Sequence, residues 1–160
     1  MDPTPKPRIE LYVRSLLPDG AHERQDAVIE RLRDLEASGD VEDFSVIVWG
    51  KQVSRESAAG HTETGRYVLN RVAEFEQWAL SHNVSLSSFY QTQAVGDDGD
   101  ASTAITLPVM GLAEYADGQL RHVAPCTVGD TIHTIVDRLD GLEAGKPPAF
   151  DATADGLRVA

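Results

Sequence analysis

The side chain with the greatest chemical potential in this chain is the thiol of Cys126, the single cysteine among 160 residues. His122 lies four positions before it and His133 seven positions after it. A thiolate is the nucleophile in thiol chemistry, and a nearby imidazole or the positive end of a helix stabilises it. Because the pattern predicts a helix directly after Cys126, these residues favour a one-cysteine redox or thiol-transfer site assisted by His122. The alternative is a small buried side chain at a strand-to-helix corner, a common setting for a lone cysteine.

The same segment also holds the donor types of a metal site. His122, Cys126, Asp130 and His133 combine imidazole, thiolate and carboxylate groups, but their spacing matches none of the tight zinc patterns. An acidic turn at 96–100 lacks the glycine and the distal glutamate of a calcium loop. We therefore predict no metal and no other cofactor.

Two pairs of arginines have a spacing that could meet phosphate groups. Arg24 and Arg31 lie about two turns apart on the first predicted helix, and Arg66 and Arg71 lie near the second. Acidic residues interleave with the first pair, so ion pairs along the helix are the alternative. The chain has no glycine-rich phosphate loop, nucleophile elbow or catalytic triad, so the motifs favour a protein that is not an enzyme.

The charge composition indicates the salt content of the protein's surroundings and says little about its function. The chain has 26 Asp and Glu against 14 Lys and Arg, a net charge of −12. Such a protein repels itself in dilute buffer, whereas molar salt screens that repulsion within about 3 Å. The composition is typical of a cytoplasmic protein from a salt-loaded cell, and no apolar run approaches the roughly 20 residues of a membrane span. The acidity also argues against a nucleic-acid surface, though less in a cell whose proteins are all acidic.

The elements that would position these groups begin with alternating strands and helices. Residues 9–16 alternate between apolar and polar and predict a strand. Residues 44–49 are nearly all apolar, which predicts an interior strand covered on both faces. Apolar residues at helical spacing predict helices over 21–38 and around 68–79.

The second half of the chain predicts three strands and a helix. Residues 84–95 form the first strand, and 105–115 form the second, interrupted at Pro108. The Asp-Gly pair at 117–118 is a strong hairpin signal. Residues 127–130 resemble a capping box with Asp in place of Glu, which predicts that the last helix begins there.

The predicted fold class is α/β, in the order β-α-β-α-β-β-β-α. Two consecutive crossovers predict parallel strands with helices on both faces, and the hairpin and last helix complete a mixed sheet. We expect a single domain over 8–145. The proline-rich residues 1–7 predict a disordered tail rather than a signal peptide, and 146–160 predict a loose C-terminal tail.

This order resembles the thioredoxin fold, most closely from Thr106 to Gly118, where a proline, a strand and an Asp-Gly turn follow one another before a second strand and a helix. The resemblance implies that Pro108 is the counterpart of the family's cis proline beside the active site. Where the family has its CxxC motif, residues 17–22 read Leu-Pro-Asp-Gly-Ala-His, so dithiol exchange is not expected. A ferredoxin-like α+β sandwich is the alternative fold.

A scaffold without its reactive residues predicts a non-catalytic binding or adaptor module. We expect an unidentified protein partner, and a homodimer is compatible with the sequence. The recognition surface would lie at the position of the family's redox cleft, formed by Pro18, Asp19, Gly20 and His22 facing Leu107 and Pro108.

At a finer grain, residues 9–16, 43–50 and 122–126 are similar to small acidic haloarchaeal proteins, some of which carry a helix-turn-helix label. That resemblance implies a third hypothesis, a DNA-associated regulator, and no demonstrated chemistry. A helix-turn-helix requires two helices about a short turn. Here a strong predicted strand separates the first two helices.

Overall fold

The computed structural model describes residues 6–16, 22–54, 62–95 and 102–147. Most of the predicted tails and the acidic turn at 96–100 lie outside the described residues, so those expectations stay predictions. In the described part the chain has the predicted mixed α/β architecture. Its elements are β1 (Arg8–Val13), α1 (His22–Ser38), β2 (Asp43–Val48), β3 (Gln52–Ser54), α2 (Glu63–His82), β4 (Gln91–Val95), β5 (Ser102–Thr106), β6 (Met110–Ala116), β7 (Gln119–Ala124), β8 (Cys126–Val128), β9 (Thr131–His133) and α3 (Ile135–Glu143).

The largest sheet has four strands in the order β2-β1-β6-β7. β1 runs parallel to β2, as expected of strands joined through a helix, and antiparallel to β6. β6 and β7 form a hairpin whose tip holds Asp117 and Gly118 at φ 54° and 75°. A two-residue turn of this kind requires such left-handed angles, which glycine and aspartate tolerate. The predicted Asp-Gly hairpin is confirmed.

Helices cover both faces of this sheet, as the residues of β1 show. Tyr12 faces α2 and packs edge-on against Phe75, with ring centroids 5.8 Å apart. Leu11 and Val13 face the opposite core, which α1 and α3 cover. Because side chains alternate along a strand and both faces are covered, β1 is buried at every position after Arg8. Even Glu10 is buried.

β2 lies at an edge of the sheet, although its apolar run predicted an interior strand. Asp43, Ser45 and Val48 are exposed, and the residues between them are only partly buried. The prediction was wrong because an apolar run indicates what covers the faces of a sheet. The lateral position of a strand depends on which strands pair with it.

The predicted single mixed sheet is divided into three. Of residues 84–95, only Gln91–Val95 form a continuous strand, because the N–H groups of Phe89 and Tyr90 turn back to the carbonyl of Leu86. This strand, β4, belongs to a separate sheet of order β3-β5-β4. The predicted strand over 105–115 is two strands, β5 and β6, with Pro108 between them. Proline has no N–H to donate to a ladder, which explains the break.

The last helix begins at Ile135 rather than near Thr127. Thr127 lies in β8, which pairs with β9 around Gly129. The N-cap is Thr134, whose hydroxyl accepts the N–H of Asp137 while the Asp137 carboxylate accepts the N–H of Thr134. The spacing Thr-x-x-Asp occurs at both places, and the backbone pairing of β8 excludes the first. No helix in the described ranges is both long and apolar enough to cross a membrane.

Candidate functional site

The predicted recognition surface lies at the carboxyl end of β1, and only part of it is described. Pro18, Asp19 and Gly20 lie outside the described residues, and α1 begins at His22. Leu107 is fully buried. Its side chain therefore belongs to the core and is not a recognition residue, contrary to the expectation.

Leu107 is buried because its backbone is held on both sides. Its N–H donates to the carbonyl of Lys51 at 2.8 Å. Its own carbonyl accepts two hydrogen bonds from the guanidinium of Arg14, one of them from Nε at 3.0 Å. The carbonyl of the next residue, Pro108, accepts the indole N–H of Trp49 at 3.2 Å. These contacts fix the segment between β5 and β6 against the end of the sheet.

The segment after β1 is fixed in the same way. The buried Gln25 on α1 donates from Nε2 to the carbonyl of Ser15 at 3.0 Å. The N–H of Arg14 donates to the carbonyl of Val109 at 3.3 Å, which joins this segment to the one before β6. The strand end is thus a hydrogen-bonded frame made from two connections distant in sequence.

This frame presents apolar side chains to solvent. Leu16 is 61% exposed and Val109 is 42% exposed. Pro108, next to Val109 in the chain, is half-buried. We call Leu16, Pro108 and Val109 the strand-end patch.

The geometry of Pro108 differs from what the thioredoxin resemblance implies. The peptide bond before Pro108 is trans, and the cis bond among the described residues joins Ala124 to Pro125. The expectation of a cis proline at 108 is therefore wrong. The local pattern of a proline before a strand does not determine the isomer, because the surrounding tertiary structure selects it.

Cys126 is a core residue. It lies in β8 with its side chain fully buried, nine positions before α3 begins at Ile135. The helix N-terminus that was expected to stabilise a thiolate is therefore at Ile135 and not at Cys126. Burial raises the pKa of the Cys126 thiol to about 12. Its position and its burial therefore both argue against the one-cysteine redox hypothesis.

His122 is also buried, and it is neutral. Its ring lies edge-on to the ring of Trp78, with centroids 5.7 Å apart. Burial, together with the charge of Arg138 and the neighbouring ring of His133, lowers the pKa of His122 to about 3. A histidine with so low a pKa cannot exchange a proton at neutral pH. His122 therefore has no role as the assistant of a thiolate.

The candidate metal ligands do not form a site. Cys126 and His133 are register partners in the β8-β9 hairpin, but Asp130 lies exposed at its turn. Among the described residues, no group of three or more His, Cys, Asp and Glu side chains could hold a metal ion.

Sequence reasoning missed a polar network centred on Glu10. Its carboxylate accepts the hydroxyls of Tyr12 at 2.5 Å and Tyr67 at 2.9 Å, and a guanidinium nitrogen of Arg71 at 3.2 Å. Arg8 adds a fourth donor at 3.1 Å. Burial and the adjacent Glu10 carboxylate raise the pKa of Tyr12, so its hydroxyl stays protonated. The signal in the sequence was an acidic residue, Glu10, that lies inside a predicted strand between the apolar residues Ile9 and Leu11.

An open cleft with a volume of about 340 Å³ lies beside this network. Three positive and three negative side chains line it, and among them Arg71 pairs with Glu74 at 3.4 Å. This balance of charge favours a mixed polar surface over a site for one anion. Its charged and polar lining residues are Lys6, Arg8, Glu42, Arg71, Glu74, Tyr115 and Asp117.

The arginines proposed for phosphate contacts are only partly available. Arg31 donates to Asp140 at 2.8 Å and to Glu143 at 3.0 Å, both on α3. These carboxylates raise the pKa of Arg31. The pairing joins two helices rather than neighbouring turns of one helix, which differs from the expected pattern. Arg71 is held by Glu10, whereas Arg24 and Arg66 are exposed.

Comparison with known families identifies the family of this chain. A family described as "Helix-turn-helix domain" matches residues 1–147. The chain belongs to this helix-turn-helix domain family. No curated protein and no solved structure matches the chain. Two strands separate α1 from α2, and six separate α2 from α3. In the described part, therefore, no two consecutive helices of this family member are joined by a short turn.

Proposed function

We propose that this protein is a non-catalytic regulatory domain that binds a protein partner through the strand-end patch. The observation that carries the proposal is the exposure of Leu16 and Val109 on a frame fixed by Arg14 and Gln25. Exposed apolar side chains that form a contiguous patch are a mark of protein interaction sites. The partner is expected to present an apolar side chain of its own.

The position of the patch in the fold supports this proposal. In open α/β sheets, ligands bind at the carboxyl ends of the strands. The strand-end patch lies at the carboxyl end of β1 and beside the start of β6. This is where the thioredoxin resemblance puts its cleft, once the β3-β5-β4 sheet and the β8-β9 hairpin are treated as additions to a thioredoxin-like scaffold. The acidic, lysine-poor composition supports a salt-rich cytoplasm as its place of action.

Crosslinking tests the proposal. A photoreactive amino acid at Val109 should capture the partner in the source cell, whereas the same group at Val136 should not. Val136 is 48% exposed, close to the 42% of Val109, but it lies on α3. Capture of the same proteins at equal yield from both positions would contradict the proposal.

Affinity then tests the patch residue by residue. With the captured protein purified, Leu16→Asp and Val109→Asp should each weaken binding by about tenfold or more, since a buried apolar contact contributes more than about 1 kcal/mol. Val136→Asp is the matched control and should leave the affinity unchanged. Unchanged affinity in both patch variants would remove the patch as the binding surface.

A second candidate function is contact with DNA, which the description of the family favours. Of the four arginines that the sequence suggested for phosphate contacts, Arg24 and Arg66 are the exposed ones. Fluorescence anisotropy with a labelled duplex at KCl concentrations from about 0.5 to 2 M would test this function, because contacts to phosphate weaken as salt screens the charges. Binding that weakens with salt and is lost in an Arg24→Glu, Arg66→Glu variant would favour a DNA-associated regulator. Absence of binding at every salt concentration would exclude it.

A further inference from the structure

We infer that this protein forms a homodimer in which β2 of one copy pairs antiparallel with β2 of a second copy. The inference does not depend on the proposed function, because it concerns the edge of the sheet and not the strand-end patch. In the described ranges, no strand pairs with the outer side of β2. An open strand edge presents a row of backbone donors and acceptors that another strand can bind.

The hydrogen bonds of β1 show which groups of β2 are available. The N–H of Trp49 donates to the carbonyl of Val13 at 2.8 Å, so Trp49 faces β1. Backbone groups alternate in direction along a strand. The N–H and C=O groups of Phe44, Val46 and Val48 therefore point away from β1, toward the open edge.

A two-fold axis at Val46 satisfies all of these groups at once. Val46 then faces Val46 of the second copy, and Phe44 faces its Val48. In an antiparallel ladder, a hydrogen-bonded pair exchanges two N–H···O=C bonds. Each of the three facing pairs would do so, because all of the residues involved present their backbone groups outward.

The same register continues the core across the axis. Phe44, Val46 and Val48 share the face of the sheet that packs on α1 and α3. Phe44 and Val46 are only partly buried there, and so is Ile29 on α1. Val48 is 40% exposed. Pairing would place Phe44 against Val48 of the second copy and would bury these partly exposed side chains at the edge of the core.

Charge also favours a second copy as the occupant. β2 has no charged residue from Phe44 to Val48, and the other edge strand, β7, has Arg121 in its interior. The acidic residues Glu42 and Asp43 precede the apolar part of β2, and Lys51, one of three lysines in the chain, follows it. Antiparallel pairing brings the acidic start of one strand toward the basic end of the other. A charged residue within an edge strand is a common device against such pairing, and β2 lacks it.

Sedimentation equilibrium in molar KCl tests the inference. The wild-type chain should be dimeric at micromolar concentration. Val48→Lys places two symmetry-related lysines in the interface and should raise the dimer dissociation constant by about tenfold or more. Val136→Lys is the matched control, since Val136 is an exposed valine on α3, and it should remain dimeric. A wild-type chain that is monomeric at all concentrations would overturn the inference.

A backbone variant separates pairing from side-chain packing. Val46→Pro removes an outward N–H without removing a bond to β1, and proline is tolerated on edge strands when its N–H side faces solvent. It should give a folded monomer with an unchanged far-ultraviolet circular dichroism spectrum. A folded Val46→Pro variant that remains dimeric would overturn the inference, because the interface would then lie elsewhere.

Amide hydrogen exchange identifies the occupant. Protection of the Phe44, Val46 and Val48 amides should increase with protein concentration. Protection that persists in protein diluted until it is monomeric would show that another segment of the same chain covers the edge, and would overturn the inference. Fast exchange of these amides in a dimeric sample would overturn it as well.

Discussion

Arg138 of α3 and Glu114 of β6 form a buried ion pair with two points of contact. The guanidinium Nε lies 2.6 Å from Oε1 of Glu114, and Nη2 lies 3.1 Å from Oε2. Nη2 also donates to the carbonyl of Lys146 at 3.0 Å. The two side chains are 6% and 4% exposed. The pair attaches α3 to the sheet, and Glu10 with Arg71 attaches α2 to the opposite face.

Replacement of Arg138 by methionine should lower the free energy of unfolding by about 3–5 kcal/mol, because Glu114 would keep a buried charge without its partner. Urea unfolding in molar KCl measures this change. Arg33→Met is the control, since Arg33 pairs with Glu30 in an exposed position and should cost less than about 1 kcal/mol.

The double variant Glu114→Leu, Arg138→Met completes the test. With both charges removed, it should recover much of the stability lost in Arg138→Met. If Arg138→Met costs no more than Arg33→Met, the pair does not attach α3 to the sheet.

Alkylation of Cys126 should be slow in the native protein and fast after unfolding. The buried thiol has a pKa of about 12, whereas an unfolded cysteine has a pKa near 8.5. At pH 8 iodoacetamide should therefore modify the chain only in denaturant, as mass spectrometry would show. A native rate equal to the unfolded rate would restore Cys126 as a candidate reactive thiol.

Stability should fall as the pH is lowered from about 6.5 toward 3, and His122 should cause part of the loss. The pKa of His122 is about 3 in the folded protein and about 6.5 in an unfolded chain. Between these values the unfolded state binds a proton that the folded state does not, so acid favours unfolding by at most about 1.4 kcal/mol per pH unit.

A His122→Gln variant checks this assignment. It should unfold at pH 7 and pH 5 with a smaller difference in urea midpoint than the wild type shows. An identical pH dependence in the variant would mean that His122 is not the responsible group.

Alanine at Gly111 should destabilise the protein by about 1–3 kcal/mol through overpacking. A Cβ atom there would lie 2.6 Å from Cη2 of Trp49. That ring cannot easily move, because it stacks on Tyr12 with centroids 4.8 Å apart. Thermal unfolding reports the change, and so does tryptophan fluorescence, to which Trp49 contributes together with Trp78. Trp49→Phe removes the clashing atom, so the Gly111→Ala cost should be smaller in that background.

Local patterns predicted several elements of this protein correctly. Helical spacing placed Val28 and Leu32 on the buried face of α1, and Val68 and Val72 on that of α2. The Asp-Gly pair predicted the β6-β7 hairpin because only a few residues tolerate its backbone angles. These signals depend on residues close in sequence, so the sequence alone carries them.

Features whose sequence signal occurs twice, or which depend on residues distant in sequence, could not be predicted. Thr127 and Thr134 start the same capping pattern, and only the pairing of β8 with β9 shows that Thr134 caps α3. The burial of Leu107 could not be predicted, because Lys51 and Arg14 hold its backbone from distant parts of the chain.

The sequence by itself determined the mixed α/β composition, the faces of the first two helices, the hairpin turn and the acidic surface. The tertiary structure alone decided that β2 is an edge strand and that Cys126 is buried in β8 and not at the start of α3. It also decided that Glu10 and Glu114 each pair with an arginine inside the protein. The physical reason is that the spacing of apolar residues indicates which face of a helix or strand is buried. Strand order, pKa values and the partners of buried charges depend on which distant segments meet.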